Sequence, residues 1–141
     1  MPAFSPFMSK PYIHSLSSVR KFGVTTDDYL PIHNFLDSSK AVITDSRHRA
    51  LTHNAWFIGT VLELVFGTTV TNADGKVISV RDIGEQHVFE DLGCIPTAQD
   101  YLEQIELQPW MESGGQSKQP PPSHKKLKSV TRSHIKKLVF D

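Results

Sequence analysis

The chain has one cysteine, Cys94, so no disulfide can form within it, and the sequence points to a reducing compartment, the cytoplasm or the interior of an organelle. Cys94 follows a helix-ending glycine with no histidine nearby in sequence, which predicts a buried, inert thiol. No apolar run approaches the ~20 residues that cross a bilayer, and no membrane partner is expected. The opening "MPAFSPFMSKP" lacks the basic start and continuous apolar stretch of a secretory leader. Also missing are H-E-x-x-H, Cys-x-x-Cys and Glu-x-x-His signatures, a glycine-rich phosphate loop, a G-x-S-x-G serine and the His-Asp dipeptide of HD phosphohydrolases. Any chemistry must therefore come from a less familiar arrangement.

Net charge is lacking as well, because 15 Lys and Arg balance 15 Asp and Glu. That zero conceals two unlike halves. Residues 1–107 carry eight basic against thirteen acidic side chains, and residues 108–141 carry seven against two. An acidic body thus precedes a basic tail. The expected organisation is an N-terminal extension over 1–10, a helical domain over 11–107, a linker over 108–123 containing "SGGQSKQPPPS", and a basic tail over 124–141 able to form an amphipathic helix.

Within the body the patterns are mainly helical. "HSLSSVRKFG" (14–23) reads as a short helix ending at Gly23, and Pro31 places the start of a second helix over about 30–42. The strongest helical signal covers 45–66. There Leu51, Ala55, Ile58, Leu62 and Val65 recur at spacings of three and four, and Trp56, Phe57, Val61 and Leu64 widen the stripe almost all round. This predicts one central buried helix. "TTVTNADGKVISVRD" (68–82) reads as a β-hairpin turning at "NADGK". "IGEQHVFEDLG" (83–93) and "IPTAQDYLEQIE" (95–106) read as two further helices, the second capped by Thr97 with Asp100. The fold class is mainly α with a small hairpin: a compact helical domain about a central helix, plus the tail.

Five of seven histidines fall in the acidic body: His14, His33, His48, His53 and His87. Most have a carboxylate at helical distance: His33 with Asp37, Asp45 with His48, and His87 with Glu90 and Asp91. Imidazole and carboxylate on one helix face suit a divalent transition metal (Fe, Mn or Zn) or a general base. The expected metal set is His33, Asp37, His48, His53, His87 and Asp91. His48 and His53, five residues apart, would diverge by about 140° on an ideal helix. The competing reading is an ion-pair scaffold, with Asp45 capping its helix and Arg47 and Arg49 pairing with Glu85, Glu90 or Asp91.

"DDYLPIHNFLDSSKA", "RHRALTHN", "TVTNADGKVISVRDIGEQHVFEDLG" and "IPTAQDYL" together resemble a family of small bacterial and phage proteins, a domain of unknown function, over about residues 11–106. "IGEQHV-x-ED-x-G-x-IP" is the most specific part. Members often begin with His-Pro and carry a double histidine in the central helix. Here those positions are Lys10-Pro11 and His53-Asn54, so the resemblance implies that this chain lacks any ligands those extra histidines supplied.

Three functions follow as expectations. The first is a small metal-binding, hydrolytic domain built on the histidine and carboxylate set. The second is an accessory subunit of a nucleoprotein assembly, a ribosome or phage particle, holding RNA through Lys118, Lys125, Lys126, Lys128, Arg132, Lys136 and Lys137. The third is a phage or host-defence protein binding a phosphate ligand through Arg47, Arg49 and Arg81. The sequence does not specify an oligomeric state.

Overall fold

A computed structural model describes residues 10–125, in two units, Met1–Gln104 and Ile105–Asp141. The first unit is helical with one two-stranded antiparallel hairpin. Helix α1 (Lys10–Phe22) begins four residues before the sequence pattern suggested, with Pro11 in its first turn. It ends at Gly23, whose φ of +90° only glycine adopts freely. The Tyr29 hydroxyl donates to the Gly23 carbonyl at 2.8 Å and pins that turn.

Helix α2 (Leu30–Asp37) takes Pro31 in its first turn, as expected, but does not run to residue 42. From Ser38 to Ala41 it tightens into a 3-10 turn, with the Ser38 hydroxyl donating to the Phe35 carbonyl. Asp37, at the end of α2, and Ser39, in this turn, are both buried.

The predicted central helix over 45–66 is broken. Asp45 caps a single 3-10 turn (Ser46–His48) that leads into α3 (Arg49–Thr52). The backbone leaves helical geometry at His53 (φ −97°, ψ 57°) and starts again after Asn54, whose side-chain oxygen accepts from the Phe57 amide at 2.9 Å. A π-helical segment (Phe57–Leu62) then joins α4 (Glu63–Phe66). A π segment slips the side-chain register relative to an α-helix. Phe57, Ile58 and Leu62 therefore face the core while Leu51, Trp56, Leu64 and Val65 face outward, Leu64 at 80 % exposure. Apolar nearly all round in sequence, the segment is buried on one side only.

Strands β1 (Thr69–Thr71) and β2 (Val77–Ser79) pair antiparallel with Val70 opposite Ile78. The Asn72 side chain accepts from the amides of Asp74 and Lys76 and closes the turn at "NADGK". Ser79 caps α5 (Val80–Leu92), which starts three residues earlier than expected and stops at the left-handed Gly93. Thr97 and Asp100 form the anticipated capping box, but α6 covers only Ala98–Leu102. Cys94 is exposed, which corrects the expectation of a buried thiol: the residue follows the Gly93 turn and does not enter the core.

Tyr29 just before α2, Ile32 and Leu36 of α2, Ile58 and Leu62 of the π segment, and Ile83 and Val88 of α5 lie in the core. At Gly84 the helices meet backbone to side chain, where an added Cβ would lie 2.7 Å from Leu62 Cδ2 and 3.1 Å from Ile58 Cγ2. Gly84→Ala should therefore cost about 1–3 kcal/mol by overpacking, read as a lower urea midpoint at unchanged slope; an unchanged midpoint would mean that this contact yields freely.

The second unit contains α7 (Pro109–Glu112) and α8 (Pro122–Lys125). Between them Gly114 and Gly115 both have positive φ, and Lys118 is exposed. The remainder of the basic tail, including Lys126, Lys128, Arg132, Lys136 and Lys137, lies outside the described residues. Among the described residues no helix is long and apolar enough to cross a membrane.

Candidate metal centre

All five body histidines are buried, and they are buried together. His87 of α5 is the hub of the rings: its centroid lies 3.9 Å from that of His14, 5.0 Å from His53 and 5.1 Å from His33. His48 packs edge-on against His53 at 5.4 Å. Helical interruption at His53 makes this possible. An unbroken helix would turn His48 and His53 apart, whereas the kink brings both rings to one place.

Two carboxylates enter the cluster, each with a division of labour between its oxygens. Asp37 turns Oδ1 inward, 3.3 Å from His87 Nε2 and 3.6 Å from His53 Nε2. Asp91 turns Oδ2 inward, accepting from His53 Nε2 at 3.0 Å and lying 3.5 Å from His87 Nε2. The outer oxygens meet cations. Lys40 Nζ is 3.4 Å from Asp37 Oδ2, and Lys10 Nζ is 3.5 Å from Asp91 Oδ1, which also lies 3.2 Å from His14 Nε2.

One atom each from Asp37, His53, His87 and Asp91 thus falls within 4.8 Å of the others. Four of the six edges of this figure are 3.0–3.6 Å. Four ligands at the ~2.0–2.1 Å typical of a transition metal make tetrahedral edges near ~3.3 Å, so the donors need little movement to hold an ion. The set could hold a metal ion.

The other groups support these four. His87 Nδ1 faces His33 Nδ1 at 2.9 Å, and His33 Nε2 faces the Ser18 hydroxyl at 2.8 Å. Ser18 donates to Gln86 Oε1, because the Gln86 amide NH2 is already committed to the His14 carbonyl and Glu90. Ser18 therefore accepts from His33 Nε2–H. With burial first, and then the neighbouring His87, pushing His33 down to about 3, that ring is neutral and its Nδ1 accepts from His87 Nδ1–H. His87 Nε2 is left aimed at two carboxylates. Burial opposes charge on His87, but its hydrogen bonds to Asp37 and Asp91 prevail and raise it above the ordinary imidazole value. A metal ion at this position would take the place of a proton on His87 Nε2.

His53 is backed by a second chain: Nδ1 to the Thr52 hydroxyl at 2.8 Å, Thr52 to Ser39 at 3.0 Å, and Ser39 to His48 Nδ1 at 2.8 Å. Burial lowers both His53 and His48 and keeps them neutral. Asp37 is held at about 2: burial would raise it, but the His87 hydrogen bond and the nearby cations outweigh that. Asp91, accepting from three imidazoles, is driven lower still against the same burial.

Of the six expected metal residues, Asp37, His53, His87 and Asp91 converge, while His33 stands one hydrogen bond behind His87, and His48 stands three behind His53, through Ser39 and Thr52. Among the described residues the anticipated arginine set, Arg47, Arg49 and Arg81, does not converge on a shared partner. Arg47 is exposed and pairs with Asp45 at 2.7 Å, and not with Glu85, Glu90 or Asp91. Arg81 lies across Gly59 beside Glu63 at 3.6 Å, and the buried Arg49 Nε has no hydrogen-bond partner among the described residues. Ser18, Ser39, Thr52, Gln86 and the two lysines were missed, and His14 was counted among the body histidines but not placed at the site. One signal for them existed: Lys10, His14 and Ser18 repeat every four residues and line one face of α1.

A family model described as a domain of unknown function, DUF6915, matches residues 9–111. The chain belongs to this family. All the cluster residues of the DUF6915 domain named above lie within the match. No curated protein and no solved structure matches the chain.

Proposed function

We propose that this DUF6915 domain binds one divalent first-row transition ion, iron, manganese or zinc, and uses it for hydrolysis. The observation that carries this reading is the buried convergence of two imidazole Nε2 atoms and two carboxylate oxygens within 4.8 Å. Asp37 and Asp91 supply negative charge, His53 and His87 supply nitrogen, and each imidazole has its far nitrogen fixed by a neutral partner, the arrangement that orients metal-bound histidines. When bound, such an ion supplies a Lewis acid and brings the pKa of its water toward neutrality. Asp37, His53, His87 and Asp91 would hold the ion, and one that accepts more than four ligands, iron or manganese, would have room for water beside them.

Elemental analysis of the untagged full chain, purified without chelator, should give a near-integral ratio of one of these metals. Asp37→Ala should abolish it, whereas Arg47→Ala should leave it intact. Metal-free protein that stays so after incubation with each ion would reduce the cluster to an ion-pair scaffold.

A further inference from the structure

Asp37 and Asp91 each turn one oxygen toward the rings of His53 and His87, and in each the other oxygen is engaged from a second side. Lys40 Nζ donates to Asp37 Oδ2 at 3.4 Å, and Lys10 Nζ donates to Asp91 Oδ1 at 3.5 Å. The two cations come from separate elements, the 3-10 turn after α2 and the first residue of α1. Asp91 Oδ1 has a further neighbour in His14 Nε2, at 3.2 Å. The carboxylate side chains are only 5–6 % exposed, against 42–50 % for the lysine side chains. A charge-assisted bond to an acceptor shielded from water fixes its orientation better than a bond between two exposed groups.

The number of oxygens that each carboxylate can give decides which ions the centre can hold. Transition ions such as zinc take few donors, at about 2.0–2.2 Å, and one oxygen from each carboxylate suffices. Calcium gathers roughly six to eight oxygens at about 2.3–2.6 Å, and often takes both from one carboxylate. As Asp37, His53, His87 and Asp91 stand, they offer an ion two oxygens and two nitrogens. Turning both carboxylates to two-oxygen binding would give four oxygens, but each turn draws an outer oxygen away from its lysine. Glu90 does not make up the difference. Its Oε1 accepts from Gln86 and lies 3.6 Å from His14 Nδ1, whereas Asp91 meets the other nitrogen of that ring.

Resting on the metal centre proposed above, we propose that Lys10 and Lys40 are specificity-determining residues of this DUF6915 domain. They hold Asp91 and Asp37 to one-oxygen binding, so that the centre accepts a small transition ion and rejects calcium.

Calorimetry on the untagged full chain, with Zn2+ and Ca2+ as the two probes, tests this. Loss of a positive charge alone strengthens both divalent ions by the same factor and leaves the ratio of their affinities unchanged. Release of the outer oxygens favours calcium. The double variant Lys10→Met with Lys40→Met should therefore gain at least tenfold more affinity for Ca2+ than for Zn2+, and each single variant should move the ratio part of the way. Lys→Arg at both positions keeps the charge and a donor for the outer oxygen, and should keep the parent ratio. Equal gains for both ions, a double methionine variant that still ignores Ca2+, or an arginine pair as permissive as the methionine pair would each overturn the proposal and leave the metal reading standing. Failure of Zn2+ to bind the parent protein would end both.

Discussion

Replacing Asp91 by alanine should destabilise the metal-free protein by about 3–5 kcal/mol, the cost of leaving a buried charge without its partner. Asp91 accepts from His53 Nε2, lies 3.2 Å from His14 Nε2 and 3.5 Å from His87 Nε2, and meets Lys10 at its outer oxygen. Its loss leaves the rings of His14 and His53 without this carboxylate and His87 Nε2 facing Asp37 alone. Asp91→Asn keeps the shape but turns an acceptor into a donor facing three imidazoles, so it should be nearly as harmful. Both variants should also fail to retain metal. Equilibrium urea unfolding in the presence of chelator measures the first effect, and an effect below ~1 kcal/mol would show that the cluster is far more hydrated than its burial implies.

Acid should act through the histidines that are kept neutral. His33 titrates at its ordinary value of 6.5 in the unfolded chain but near 3 in the fold, because of burial and the adjacent His87. Between those values the unfolded chain binds a proton that the folded protein refuses. Stability therefore falls as pH falls through 6.5 toward 3. At ~1.4 kcal/mol per unit, His33 alone removes roughly 3 kcal/mol by pH 4.5. The lowered values of His48 and His53 act in the same direction. His87 is opposite in sign: its raised value stabilises the fold below pH 6.5, and that contribution disappears as pH rises through its folded value. The Asp37 contribution is present above about 3.8 and lost toward about 2, below the histidine window. Metal-free protein should thus show its urea midpoint falling steeply from pH 6.5 to 4.5. His33→Gln, which can still join Ser18 to His87, should flatten that profile. A flat profile in the parent protein would mean that the rings take up protons without unfolding.

Much of this arrangement was legible, because periodicity reports local structure. The hairpin at "NADGK", the Thr97 cap and the pairing of His87 with Asp91 on one helix face all follow from spacing alone. What spacing could not reveal was where regular geometry stops. The shift to a 3-10 turn after Asp37, the break at His53 and the π segment each move side chains away from ideal helical positions. The 140° that seemed to part His48 from His53 is a property of an ideal helix that the chain does not build there. The outward face of Trp56 and Leu64 has the same origin. Roles within the cluster were hidden for a different reason: a ligand and the residue that orients it have the same chemistry, so His33 and His48 looked like His53 and His87 until their ring nitrogens could be followed to hydroxyl groups or carboxylates.

Anomalous scattering from crystals grown with Mn2+, Fe2+ or Zn2+ offers the most direct test of the metal centre. A single strong peak bounded by Asp37 Oδ1, His53 Nε2, His87 Nε2 and Asp91 Oδ2, about 2.0–2.2 Å from each, is the predicted result. A peak bounded instead by His33 and His48, or none in crystals whose His87 Nε2 still contacts both carboxylates, would contradict it.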